Sequence, residues 1–365
     1  MSVFKSAPVG RRTVLAGLAA ALAAAPGAAQ AGRDLLDTPA LPSAKAASAL
    51  LLGIARAGQR VVAVGERGII VWSDDDGATW RQAAVPVSVT LTSVHFPTPA
   101  VGWAVGHDGV VLHSTDGGLA WTRRFDGNAA NALVLAEAKA RVAAAADGAA
   151  REAAEIAVED AQAGAEFGPS RPLLGVWFRT PDDGFVVGSY GQIFRTRDGG
   201  RTWASLGGAV NNPDGLHYNA IIAAPSGALL IAGEGGRVYR SVDDGGSWET
   251  LDTGAPSHLY GVRALKDGSL LAFGFGGRIF RSEDGPGWRP VPSPITRTLV
   301  GAAALYDALV LVDAAGGSIV SSDGGASFRP LRPPGTTAVA AVLAVGGNRM
   351  IHVGMGGARV VPVAV

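Results

Sequence analysis

The chain contains no cysteine. Disulfides and thiolate metal sites are therefore excluded, and an oxidising compartment neither helps nor harms it. Charge is sparse and balanced: Lys, Arg, Asp and Glu make up 17% of the 365 residues, 31 basic against 31 acidic, which excludes a global nucleic-acid footprint. Past residue 31 no apolar run is long enough to cross a bilayer. The six histidines, His95, His107, His113, His217, His258 and His352, show no metal-ligand spacing, so neither a metal nor a cofactor is expected. A nucleophile elbow of the G-x-S-x-G type and a phosphate-binding glycine loop ahead of a helix are both missing. What abounds is glycine, 52 residues, beside 21 prolines and 48% apolar residues, the composition of a turn-rich and well-packed all-β chain.

The first 31 residues read apart from the rest. Lys5, Arg11 and Arg12 precede an uncharged stretch from Thr13 to Pro26, and the small-residue site Ala29-Gln30-Ala31 follows. This pattern predicts a secretory signal cleaved after Ala31 and a periplasmic protein. The adjacent arginines in Gly10-Arg11-Arg12-Thr13 resemble a twin-arginine export signal. Loss of the three positive charges leaves 28 basic residues against 31 acidic, about −3.

From residue 32 onward the chain is a repeat. A Ser or Thr, an Asp two places on, a Gly two further and a final aromatic recur as Ser73-Asp75-Gly77-Trp80, Ser114-Asp116-Gly118-Trp121, Thr196-Asp198-Gly200-Trp203 and Ser241-Asp243-Gly245-Trp248. A shortened Ser282-Asp284-Trp288 and Ser321-Asp323-Gly325-Phe328 complete the set. Successive aromatics lie 41, 82, 45, 40 and 40 residues apart, the 82 being two periods plus an insertion. Upstream of each box, and once more near the C-terminus, stands a glycine-bounded turn between two β-rich runs, such as Val64-Gly65-Glu66-Arg67-Gly68 and Val187-Gly188-Ser189-Tyr190-Gly191. Four strands at a period of about 40 residues make a propeller blade, and seven such turns predict a seven-bladed β-propeller over residues 32–365. The seventh unit lacks a box. Residues 33–40 resemble the fourth strand Glu249 to Ala255 and are expected to close the last blade as its outer strand.

The boxes need no ligand to be explained. Their Asp, Gly and Ser/Thr side chains suit local bonds to turn amides, and the aromatic suits burial between blades. Without a terminal bidentate Glu the spacing does not make a calcium loop.

Residues 129–167, rich in Ala and charge and free of Pro, read as a helical hairpin about Asp147-Gly148 inserted between blades 2 and 3. Strand alternation puts this insertion on one face with the Asn211-Asn212-Pro213-Asp214-Gly215-Leu216-His217 loop and the turns holding Glu66, Arg67, His107, Asp108, Ser189, Tyr190, Glu234 and Phe275. Elaboration of one propeller face marks a docking surface, so Tyr190, Asn212, Asp214, His217, Glu234 and Phe275 are candidate contacts. A second candidate is basic: Arg195, Arg240 and Arg281 recur just before three consecutive boxes, with Arg237 and Arg278 as a further matched pair. They suit an acidic protein segment or an anionic headgroup, and equally a structural pairing with box aspartates or stacking on box aromatics.

The box resembles the Asp box of bacterial-neuraminidase-repeat proteins, which makes a sialidase-like glycoside hydrolase one alternative. The full G-x-x-G pattern running through Arg-[Ser/Thr]-x-Asp-Gly-Gly to Trp, the insertion and the Asn-Pro-Asp-Gly-Leu-His loop together resemble the photosystem II stability and assembly factor-like propellers over nearly all of the exported chain. That resemblance implies a non-enzymatic factor that binds a membrane-protein or envelope-complex partner through an arginine patch, with Arg195, Arg240 and Arg281 as the matching positions. Similar proteins outside photosynthesis imply a transporter-accessory role, and a pigment or small-ligand carrier is the remaining alternative. A monomer, peripheral to a membrane at most, is expected.

Overall fold

The computed structural model describes residues 34–364 apart from Asp284 and Pro334. The expected signal peptide over residues 1–31 lies outside them. Six antiparallel sheets of four strands and one of three follow one another along the chain. Blade 1 is Leu51–Ala57, Arg60–Gly65, Ile70–Ser73 and Arg81–Gln82, and blade 4 repeats it as Tyr218–Ala223, Leu229–Gly233, Arg237–Ser241 and Glu249–Asp252. The second strand of a blade is buried from end to end, as in Gly184–Gly188 and Leu270–Gly274. Such a strand has neighbours on both sides within its sheet and blades packed on both faces, which explains its continuous apolar run.

Apolar clusters lie between blades rather than within them. Trp103 and Val105 of blade 2 meet Leu173, Val176 and Phe178 of blade 3, and the Trp103 and Phe178 rings stack 4.1 Å apart. Each box aromatic enters the cluster shared with the preceding blade: Trp121 with Val62 and Val64, Trp203 with Trp103, Trp248 with Phe185, Trp288 with Leu230. Within the boxes, Ser73 Oγ donates to Asp75 and accepts from the Gly77 amide, while the Thr79 amide donates to Asp75. Thr196 with Asp198, Ser241 with Asp243 and Ser321 with Asp323 repeat these bonds. Asp75, Asp198, Asp243 and Asp323 are consequently held down to about 2 by the hydroxyl and amide donors around them. Asp116 sits in the same ring of donors, from Ser114, Leu119 and Ala120. Asp284 lies outside the described residues.

The last blade, Val339–Val345, Arg349–Gly354 and Gly357–Pro362, has three strands, and this corrects the expected closure. Residues 34–40 do not pair with it: the Ala40 amide donates to the Val85 carbonyl, the Ser88 amide donates to Leu35, and Arg123 donates to Leu36 and Asp37. Leu36 is buried in the cluster of blades 1 and 2. The ring instead closes through packing, with Leu51, Val61, Ala63 and Val71 of blade 1 against Val345, Ile351 and Val353 of blade 7.

Two helices, α1 (Gly127–Ala144) and α2 (Gly148–Glu166), form the hairpin between blades 2 and 3. Asp126 caps α1 through the Asn128 and Ala129 amides, and Asp147 caps α2 through Ala150. Leu133 and Val134 anchor α1 on the cluster between those blades. Among the described residues no helix is long and apolar enough to cross a membrane.

Candidate functional site

Two kinds of turn divide the propeller into two faces. Turns joining the second and third strands lie beside the segments that enter each blade, because the amide of the first turn residue donates to the carbonyl just ahead of the innermost strand: Glu66 to Leu50, Ser189 to Pro172, Glu234 to His217, Phe275 to His258. The approach is close enough that a Cβ on Gly277, whose φ is +73°, would stand 1.9 Å from the Ile295 carbonyl oxygen. This is the face that carries α1 and α2.

The turns of neighbouring blades therefore meet at the residue before a first strand, His217 between blades 3 and 4 and His258 between blades 4 and 5. Tyr190 and His217 are 4.9 Å apart ring to ring, and His217 Nδ1 lies 3.0 Å from Glu234 Oε2, which also accepts from the His217 amide. Glu234 Oε1 is 3.7 Å from His258 Nδ1, and the His258 ring meets Phe275 edge-on at 6.3 Å. The contacts run unbroken across blades 3, 4 and 5. Tyr190 is 60% and Phe275 55% exposed, and Arg171 stands over the Tyr190 ring. Asn212 closes its loop through the Leu216 carbonyl and amide, leaving Asp214 exposed. A groove of about 260 Å³ between the hairpin and blade 3 opens beside Tyr190, lined also by Arg141, Asp160 and Tyr218.

The φ of Tyr190 is +54°, the left-handed conformation that Arg67 and Asp108 also take at the same turn position in blades 1 and 2 and that Gly235, Gly276 and Gly356 take in blades 4, 5 and 7, so it belongs to the repeated turn.

The sequence-derived arginine ridge separates onto the two faces. Arg195, Arg240 and Arg281 stand one residue from the end of their strands on the box side, while Arg237 begins its strand and Arg278 stands just ahead of its own on the hairpin side. Arg195, 6% exposed, donates through Nε and Nη2 to both oxygens of Asp183, then to the side chain and carbonyl of Asp244 in the next blade's box turn. It also stacks on Phe185. Burial works against its charge, yet the bonds to Asp183 and Asp244 prevail and hold the guanidinium above its ordinary value. Arg281, also buried, joins Asp267 and Glu283 to the Gly324 carbonyl of the next box turn. Arg240 pairs with Glu249. Arg237 lies 3.9 Å from Asp252, and Arg278 is exposed. Of the structural and functional readings open for the ridge, Arg195 and Arg281 take the structural one.

Two of the five tyrosines, Tyr218 and Tyr239, are buried. Burial pushes Tyr239 up to about 12 and Tyr218 upward as well, and neither hydroxyl bonds a carboxylate among the described residues. Among those residues, no group of three His, Asp or Glu is placed to hold a metal. His258 and Arg171 are site residues the sequence reading did not pick out. His258 stands one repeat after His217, each immediately ahead of its blade's first strand, and that spacing was the available signal.

The fold and this site define a propeller of Asp-box repeats with one elaborated face. The family model described as Photosynthesis system II assembly factor YCF48 matches residues 44–145 and 164–295, and the chain belongs to that family. It is 30% identical over 171 residues to the photosystem II assembly protein Ycf48 of Synechococcus sp. (strain JA-2-3B'a(2-13)), covering 44% of this chain and 49% of that protein. Over 66 residues it is 38% identical to the photosystem II assembly lipoprotein Ycf48 of Synechococcus sp. (strain CC9902), 17% of this chain and 20% of the relative. The matches thus span half the length of these relatives or less. A solved structure described as YCF48 bound to D1 peptide superimposes with a TM-score of 0.62 at 20% identity, over 87% of this chain and 95% of that one.

Proposed function

We propose that this chain is an exported, non-catalytic propeller that holds a segment of a membrane protein on its hairpin face, as an assembly or stability factor. The observation that carries this reading is the run from Tyr190 through the half-buried His217 and Glu234 and the exposed His258 to Phe275, two exposed aromatic anchors flanking polar groups, with a groove beside Tyr190. Aromatic anchors with a polar surround are the composition of a protein-binding hot spot. Family membership favours the assembly role, and the relative solved with a D1 peptide favours a peptide segment as the bound form. Within this reading Asn212 and Asp214 shape the loop beside the contact, and Arg171 and Arg278 offer positive charge at its margin.

Removal of both anchors tests it. Tyr190→Ala with Phe275→Ala lowers recovery of the chain's membrane-protein partner in affinity purification from the native envelope by about tenfold or more, since hot-spot aromatics contribute about 2 kcal/mol each. Undiminished recovery by the folded double variant removes the hairpin face from the reading.

A further inference from the structure

The innermost strands of the blades surround an axial channel of about 370 Å³. Its wall is kept open by small residues at one equivalent place in the blades, Gly53, Ser93, Ala220, Gly261, Gly301 and Ala341, each just past a register shift in the ladder to the second strand. Two residues further on, six blades place Ala55, His95, Trp177, Ile222, Ala303 and Leu343, and blade 5 places Arg263. One guanidinium therefore enters a ring otherwise free of charged Lys, Arg, Asp and Glu.

Arg263 is wetted by the channel yet enclosed by the surrounding strands. Its Nη2 donates to the Ala302 carbonyl of the next blade at 2.7 Å. Its other N–H groups have no acceptor and no carboxylate lies within 4 Å of it among the described residues; neither Asp nor Glu lines the channel, while Asp267 and Asp307 line the neighbouring pocket that Arg263 also borders. Enclosure alone pulls its pKa down. The contrast is Arg195, which is 6% exposed where Arg263 is open to the channel, and whose burial is answered by two aspartates. A confined cation without a counter-charge in contact focuses its field on whatever anion enters. The fork of free N–H groups matches a planar oxyanion.

We propose that the axial channel is a binding site for a small organic carboxylate, its head on Arg263 and its body against the Val94, Ile222, Val262 and Val300 walls. The volume lies in the range of small-molecule cavities. One positive charge and an otherwise apolar or neutral wall suit one negative charge with a short hydrocarbon body, and suit a phosphate dianion poorly. Tyr260 lines the same channel, toward the hairpin-side end of its strand. The site is separate from the hairpin face and stands or falls apart from the function proposed for it.

Calorimetric titration of the intact chain with butyrate, phosphate and chloride tests the proposal. Butyrate binds saturably at one per chain, more tightly than phosphate; Arg263→Gln weakens it by about tenfold or more and Arg263→Lys by about threefold or less. Absence of saturable butyrate binding, unchanged affinity in Arg263→Gln, or tighter binding of phosphate overturns it. Should Arg263→Gln fail to fold, nuclear Overhauser contacts between the butyrate methyl and the Tyr260 ring in the unaltered chain decide: their presence supports the site, and their absence at saturation removes it.

Discussion

The two faces of the propeller are built from turns of the same repeating unit, but they dispose of polar groups in opposite ways. On the box face, Asp75, Asp198, Asp243 and Asp323 are ringed by donors from their own turns, and Arg195 and Arg281 clamp one blade's first turn to the next blade's box. On the hairpin face, Tyr190 and Phe275 remain exposed and Glu234 is shared by two histidines. Strictly repeated charge is thus occupied within the fold, and the departures from repetition are what is left for a partner.

Acid should strike the box face hardest. The four box carboxyls titrate at about 2 in the folded chain against an ordinary 3.8, so the unfolded chain binds more protons as pH falls through this interval. Their contribution is complete above about pH 4 and is lost progressively toward pH 2. Urea midpoints measured from pH 5 down to pH 2 fall across that window. A flat profile there would show that the boxes do not hold the blades.

Next in size is a single brace. Arg195→Ala leaves Asp183 without its cation and Asp244 with Arg179 alone, and opens the contact on Phe185. Breaking a buried pair by removing one member costs about 3 kcal/mol or more. Thermal unfolding reads the loss directly, and a change of under about 1 kcal/mol would return Arg195 to the list of partner-binding candidates. Smaller again is Thr196→Val, which keeps the shape of the buried side chain while orphaning the Gly200 amide, at about 1–2 kcal/mol by the same measurement.

How far the sequence goes depends on which signal repeats. Blade number, box geometry and the hairpin were legible because each rests on a period of about 40 residues or on local helical spacing. The closure was misread because Asp34 to Ala40 looks like a fourth strand, whereas its placement is decided by distant partners, Val85, Ser88 and Arg123, that no local pattern announces. In α2 the small Ala154 and Ala161 are buried while the larger Ile156 is exposed. The arginine ridge was ambiguous for a deeper reason: periodic placement serves folding and recognition alike, and only Asp183 and Asp267, in turns of unlike sequence, distinguish them. Arg263 escaped notice because it breaks the period instead of keeping it.

The smallest expected effect isolates the comparison within one strand. Arg278 and Arg281 are the same residue three places apart in blade 5, the first at the hairpin end and exposed, the second at the box end and buried. Arg281 donates to Asp267, Glu283 and Gly324, whereas the Arg278 side chain makes no hydrogen bond among the described residues and only its backbone bonds Gly274 and Phe275. Arg278→Ala should shift stability by no more than about 0.5 kcal/mol, and Arg281→Ala by several times that, less than Arg195→Ala because the Asp267 and Glu283 carboxylates reach water. Chemical denaturation of the two variants side by side measures the difference. Equal losses would mean that position along the strand does not separate bracing from recognition, and the division between the faces would have to be redrawn around the hairpin alone.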